Sequence, residues 1–333
     1  MSSSAAFTWD MHVCAPRTPG SDLLKSLREY RDAGISMVAV NVADAGYTLD
    51  RAIRVISSFR AQIAEHEDVL AFVQDSSDID EAVRSHRLGV CFDVEGAFSL
   101  GEQVDVARVL YDLGVRWMAF AYNRRNAFGS GCHEALDEGL TPLGRDLVRT
   151  MDEIGMIKCC SHTGYRTAHD VFELSRKPCI FSHSNPRALV DHPRNVPDDL
   201  MKALAQTGGV MGITGVSLFL GTRTPGADDI FRHVDYAVNL IGAEHVGIGL
   251  DHSIDAAYDL GVYIKDATYW PDGNGYDQPI TILGPVAFAP LERRMREAGY
   301  PDAAIHGILG ENFRRVARQV WRAPTLAYAH AGG

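Results

Sequence analysis

GMIKCCSHTGYRTAHDVFELSRKPCIFSHSNPRALVDHPRNVPDDLMKALAQTGGVMGI, residues 155–213, decides the fold class. Three short runs begin inside it, Gly155–Cys160, Pro178–Ser182 and Gly208–Thr214, rich in Ile, Val, Phe, Met and Cys and bounded by glycine or polar residues. Strands of a parallel sheet, buried on both faces, read this way. Before the third run, Pro197–Thr207 is a helical pattern that opens on proline and stops at Gly208-Gly209. The same alternation extends outward in both directions. Further strands are expected at Phe7–His12, Ile35–Asn41, Gly89–Val94, Val115–Ala121 and His245–Leu250, with a weaker one at Val69–Val73. Helices are expected over Ser21–Ala33 with Ser21 as N-cap, Thr141–Ile154, Asp228–Ile241, Pro290–Ala298 and Asp302–Trp321. Eight strands alternating with helices in 333 residues predict an α/β chain folded as a (β/α)8 TIM barrel. The rival, an open doubly wound sheet, loses support because no GxGxxG follows the first strand and no GxxxxGK[ST] occurs.

No repeat, linker or break in composition divides the chain, so 1–333 is expected to be one barrel domain. Its longest irregular stretches are Ala127–Gly139 and a Tyr-rich loop at about 255–279, which holds Tyr258, Tyr263, Tyr269, Trp270 and Tyr276. Loops this long are lids or binding surfaces in some folds, oligomer contacts or plain surface in others. The net charge of −11 argues against nucleic acid and anionic membrane as partners, which both favour a basic surface. No stretch reaches the ~20 apolar residues of a membrane span. Met1–Asp10 shows no secretory signal. The six cysteines form neither a CxxC pair nor a small-domain disulfide framework, which suggests a reducing, cytoplasmic setting.

Function is written at the strand ends. His12 closes strand one and Cys14 follows it, Glu95 follows strand three, Tyr122-Asn123 follow strand four, and His162, His183 and Asp251 follow strands five, six and eight. In a barrel all of these reach the C-terminal face, where such enzymes build their sites. His12 and Cys14 are two residues apart, so both side chains point the same way. Imidazole, thiolate and carboxylate are ligands for zinc-like ions. Glu95 is placed to bridge two ions, and Asp251 to bind one or to handle the proton of a bound water. Taken singly, each residue has a plainer reading: a hydrogen-bonded strand-end histidine, a buried apolar cysteine, a capping carboxylate. Convergence at one face tips the balance toward a metal site. His66, His86, His169, His233 and His306 are read as structural or surface residues, and His133, His192 and His252 stay undecided.

Residues 138–213 closely resemble the membrane (renal) dipeptidase family, and the SHT…SHSN…HPRNVPDD series within them is highly specific. The resemblance continues through DMHVC (10–14), FDVEGAF (92–98), AYNRRNAFG (121–129), HVGIGLDHSID (245–255) and GILGENFRRV (307–316), so it spans nearly the whole chain in order. It implies a barrel hydrolase with two zinc ions, usually a homodimer, that cleaves dipeptides, often with a D-residue at the C-terminal position. Carried onto this sequence, it makes His12 a ligand of the first metal, Glu95 the bridging carboxylate, and His162 and His183 ligands of the second. Arg194 becomes the cation that receives the substrate's carboxylate, and Asp251 the group that handles the proton of the attacking metal-bound hydroxide.

Three positions depart from the family pattern. Cys14 stands where the family's HxD motif has aspartate, Cys159-Cys160 precede Ser161-His162, and Tyr122 lies where mammalian relatives use a histidine near the tetrahedral intermediate. The leading expectation is a zinc-dependent metallopeptidase acting on dipeptides with a free carboxylate, with Tyr122 donating to the oxyanion. A related amidohydrolase acting on another small amide or amino-acid conjugate is the alternative that Cys14 raises. A non-catalytic metal-binding homologue is the third.

Overall fold

The computed structural model describes residues 6–18, 20–254 and 266–323. Tyr258 and Tyr263 lie outside them. The strands are β1 (Trp9–Cys14), β2 (Met37–Ala43), β3 (Leu70–Phe72), β4 (Leu88–Val94), β5 (Val115–Ala119), β6 (Ile157–Cys159), β7 (Cys179–Phe181), β8 (Val210–Ile213), β9 (Val246–Ile248) and β10 (His252–Ser253). Each pairs in parallel with its neighbour in the order β10-β1-β2-β4-β5-β6-β7-β8-β9. β9 and β10 are two halves of the last barrel strand: the first pairs with β8, the second with β1. Between them Leu250 N donates to Asp10 Oδ1 (2.8 Å) and Asp251 N to the His12 carbonyl (3.2 Å), which closes the ring. The expected (β/α)8 barrel is thus the observed fold.

Each expected strand exists, one to three residues shorter or shifted at its ends. The weak candidate near Val69 is real: β3 pairs with Leu88–Val90, while Phe92–Val94 of β4 pair with β5. The expected helix over Ser21–Ala33 is two short ones, Leu23–Ser26 and Arg28–Asp32. Its cap is Asp22, whose side chain accepts from Lys25 N, because the Ser21 hydroxyl donates instead to the Pro16 and Thr18 carbonyls. Thr141 caps Pro142–Ile154 as its sequence suggests, and Gly155 ends it in the left-handed conformation. The last expected helix is interrupted around Gly310, where the backbone of Phe7 and Trp9 comes close.

Alternation along the strands sorts side chains into two apolar layers. Val38, Val40 and Val42 of β2 pack outward against the helices, in one continuous cluster. Met37 and Ala39 face inward, with Cys91, Trp117, Ala119, Ile157, Cys159, Ile180 and Val210, in a second cluster plugged by Phe313. A Cβ on Gly247 would run into the Phe313 ring, so this inward position of β9 has room only for glycine. Further up the same inward rows, chemistry changes. Met37 and Ala39 give way to Asn41, Cys91 gives way to Asp93 and Glu95, and Ile157 and Cys159 to Ser161. The barrel is therefore apolar at its floor and polar at its C-terminal mouth. Among the described residues, no helix is long and apolar enough to cross a membrane.

Candidate metal centre

Six of the strand-end residues meet at that mouth. Glu95 sits at the middle and presents each carboxylate oxygen to different nitrogens. Its Oε1 lies 2.5 Å from His162 Nε2 and 3.0 Å from His183 Nε2, and its Oε2 lies 3.6 Å from His12 Nε2. On the other side of His12, Nε2 is 3.5 Å from Cys14 Sγ and 3.6 Å from Asp251 Oδ1, and these two are 3.7 Å apart. Two ligand groups result, His12–Glu95–His183 and His12–Cys14–Asp251, which share His12. The His12 and His183 rings stack at 4.2 Å.

Each imidazole is aimed by a partner on its far nitrogen. His12 Nδ1 faces Asp93 Oδ2 (3.3 Å), His162 Nδ1 faces Asn123 Oδ1 (2.7 Å), and His183 Nδ1 faces Ser182 Oγ (2.8 Å). Second partners of this kind fix ring orientation and tautomer at metal sites. The amide orientation of Asn123 is set by its Nδ2 donating to the Tyr269 carbonyl. Its oxygen therefore accepts from His162 Nδ1–H, which leaves the His162 Nε2 lone pair pointing at Glu95 Oε1 and at His183 Nε2, 3.0 Å away. Acceptors converging in a buried place need a cation between them. The donor set of nitrogens, carboxylates and one thiol suits zinc-like ions.

The backbone is bent to make this convergence. Four described residues other than glycine have positive φ, and three of them, Asn123 (57°), His162 (63°) and Asp251 (61°), belong to the site. Left-handed backbone costs energy for such residues and persists where the surroundings fix it, which is common at functional sites.

Electrostatics follow from burial and proximity. Burial pushes the Glu95 pKa up, but the positive charge of His162 and His12 in their protonated forms outweighs it and holds the carboxylate well below its usual range. Burial lowers His183 well below the ordinary value and, with Arg194 adding to it, His162 to about 4, so both are neutral ligand-ready imidazoles. Burial lowers His12 too, yet Asp93, Cys14 and Glu95 together raise it above the ordinary value. Burial lifts Asp251 to about 7 and the Cys14 thiol to about 12. A bound dication reverses this local logic and deprotonates a coordinating thiol.

Arg194 is buried beside the cluster. Its Nη2 donates to the His183 carbonyl at 3.4 Å, and its Nε has no hydrogen-bond partner among the described residues. The Tyr122 ring stacks on His162 at 4.2 Å and lines the open cleft over Cys14, Glu95, His162 and Asp251. The undecided histidines lie outside the ligand groups. His133 Nε2 bonds the Tyr276 hydroxyl (2.7 Å), His192 Nδ1 accepts from Arg194 N (3.1 Å), and His252 Nε2 lies 3.6 Å from Glu29. Sequence reading missed the orienting roles of Asp93, Asn123 and Ser182. Asp93 carried a signal, since it stands two residues before Glu95 on the same strand face.

Fold and ligand cluster together define a metal-dependent barrel hydrolase. Residues 20–267 match the membrane dipeptidase family (peptidase family M19), and the chain belongs to that family, a class of metallopeptidases. The dipeptidase verJ of Clonostachys rogersoniana is 32% identical over 282 residues, which are 84% of this chain and 68% of that protein. An uncharacterized dipeptidase of Schizosaccharomyces pombe, C3A11.10c, is 33% identical over 195 residues, 57% of this chain and 47% of its own length. Among solved structures, an amidohydrolase from Pseudomonas aeruginosa superposes with a TM-score of 0.86 at 26% identity, covering 95% of this chain and 97% of its own.

Proposed function

We propose that this chain, acting as one barrel domain, is a zinc-dependent dipeptidase for substrates with a free C-terminal carboxylate, L-D dipeptides included. One observation carries the reading: Glu95 turns one oxygen to His162 and His183 and the other to His12. A carboxylate so shared fits a bridge between two ions. His162 and His183 would hold one ion, and His12, Cys14 and Asp251 would surround the other. Once bound, paired divalent ions supply Lewis acidity that ionises water and polarises a carbonyl.

The chain's own groups do the rest. Arg194 receives the carboxylate and sets the scissile amide over the cluster, because a planar guanidinium matches a carboxylate in charge and shape. Tyr122 donates its hydroxyl proton as a hydrogen bond to the developing oxyanion. As the water oxygen bonds to the carbonyl carbon, Asp251 takes the water's proton. It passes that proton to the leaving nitrogen as the C–N bond breaks. A homodimer in the cytoplasm completes the reading.

The test is a panel of L-L and L-D dipeptides assayed with zinc supplied. Hydrolysis is expected, and absence of any cleavage overturns the reading. Cys14 favours a second one, in which the same centre works on a non-dipeptide amide. Turnover of N-acyl amino acids with no dipeptide cleaved would select it.

A further inference from the structure

The wall of the cleft above the ligand cluster is apolar beyond what the barrel needs. Val216, Phe219 and Tyr276 form a buried cluster separate from both barrel layers, with Trp270, Ile280 and Ile282 packed on it. These six line the cleft that also contains Cys14, Glu95, His162 and Asp251. The wall is built from two segments far apart in sequence. Val216 and Phe219 follow β8, and residues 270–282 lie over them, joined by the Val216–Ile282 bridge and by Ser217 N donating to the Thr281 carbonyl at 2.8 Å. Trp270 is its inner edge: its ring centroid is 6.4 Å from His162, 5.6 Å from Tyr122 and 4.8 Å from Tyr276. The indole thus stands within van der Waals reach of any group held over His162.

Position relative to Arg194 decides which part of the substrate meets this wall. The guanidinium carbon lies 5.2 Å over the Phe219 ring. In a dipeptide the C-terminal carboxylate and side chain share one Cα, so a carboxylate at Arg194 brings that side chain to Phe219 and the apolar wall it belongs to. The other cleft residues include Asp44, paired with Arg17 at 2.5 Å, and Ser253, whose oxygens are suited to accept from the charged amino end. We infer that the wall is the recognition surface for the side chain of the C-terminal residue, and that the chain selects dipeptides ending in a large apolar residue such as Leu or Phe. The inference rests on the dipeptidase reading and gives it a substrate class. Removing a Phe side chain from water predicts a roughly 30- to 150-fold higher kcat/KM for Ala-Phe than for Ala-Ala.

The full chain, zinc-loaded, is assayed on Ala-Gly, Ala-Ala, Ala-Leu and Ala-Phe with either configuration at the second residue, and on Leu-Ala and Phe-Ala. The expected result is a rise from Ala-Ala to Ala-Phe that Phe-Ala does not share. Trp270→Ala, on the partly exposed satellite cluster, and separately Ile280→Ala, should each lower the Ala-Phe to Ala-Ala ratio by about 5-fold or more. Taking the ratio within each variant cancels any general loss of activity. Cleavage of all the dipeptides with a flat profile overturns the inference alone, as does a size preference at the first residue. A panel in which nothing is cleaved overturns the dipeptidase reading and the inference with it.

Discussion

Replacing Arg194 with methionine separates binding from stability. Arg194 is 3% exposed, has no paired carboxylate among the described residues, and spends one donor on a 3.4 Å bond to the His183 carbonyl. A substrate carboxylate would gain at least two charge-assisted hydrogen bonds there, one from the unsatisfied Nε. At ~1.5–3 kcal/mol each, less the desolvation of the carboxylate, the loss on Arg194→Met is about 3–4 kcal/mol, or roughly 10²- to 10³-fold in kcat/KM. Stability should move the other way. A buried cation without a compensating anion is a desolvation cost, and methionine of similar length keeps a contact with the Phe219 ring. The melting temperature of Arg194→Met is therefore expected to equal or exceed that of the parent. The assay compares Ala-Phe with its C-terminal amide: the parent strongly prefers the acid, and the variant should treat the two within about 10-fold. A variant that keeps the full preference for the acid, or that unfolds at lower temperature, would refute the reasoning.

Three other outcomes follow from the geometry. Elemental analysis of Cys14→Ser should show two ions per chain falling to one, and a cobalt-loaded parent should show a thiolate charge-transfer band absent from the variant. Asn123→Ala should weaken metal retention against a chelator by about 10- to 100-fold, because His162 loses the acceptor that fixes its ring, while Asn123→Asp, which keeps an acceptor and tolerates positive φ, should restore most of it. The buried His233 is depressed to about 4, by burial first and then by Arg232. Its folded pKa is below the unfolded value, so its neutral form contributes stability above pH 6.5 that is lost as pH falls toward 4. The loss at pH 4.5 is on the order of 2–3 kcal/mol, and urea midpoints for His233→Gln should fall less between pH 7 and 4.5 than those of the parent.

Strand positions were legible because parallel strands buried on both faces leave continuous apolar runs, and all of β2 except Asn41 is such a run. Site residues were legible for a related reason: His12, Glu95, His162, His183 and Asp251 each break an apolar run at its C-terminal end. Helix details were less so. Whether Ser21 or Asp22 caps the first helix depends on where the Ser21 hydroxyl finds a carbonyl, and the break near Gly310 depends on Phe7 and Trp9, some 300 residues away.

By itself the sequence determined the barrel, the family and the set of residues that gather at its mouth, because burial and strand direction impose local patterns that a linear text records. Only the tertiary structure decided how Glu95 divides its oxygens, that Asn123 adopts positive φ to fix the His162 tautomer, and that Trp270 and Phe219 build one wall beside Arg194. These depend on contacts between strand ends and loops brought together by ring closure, and no periodicity along the chain encodes a distance across the mouth of a barrel.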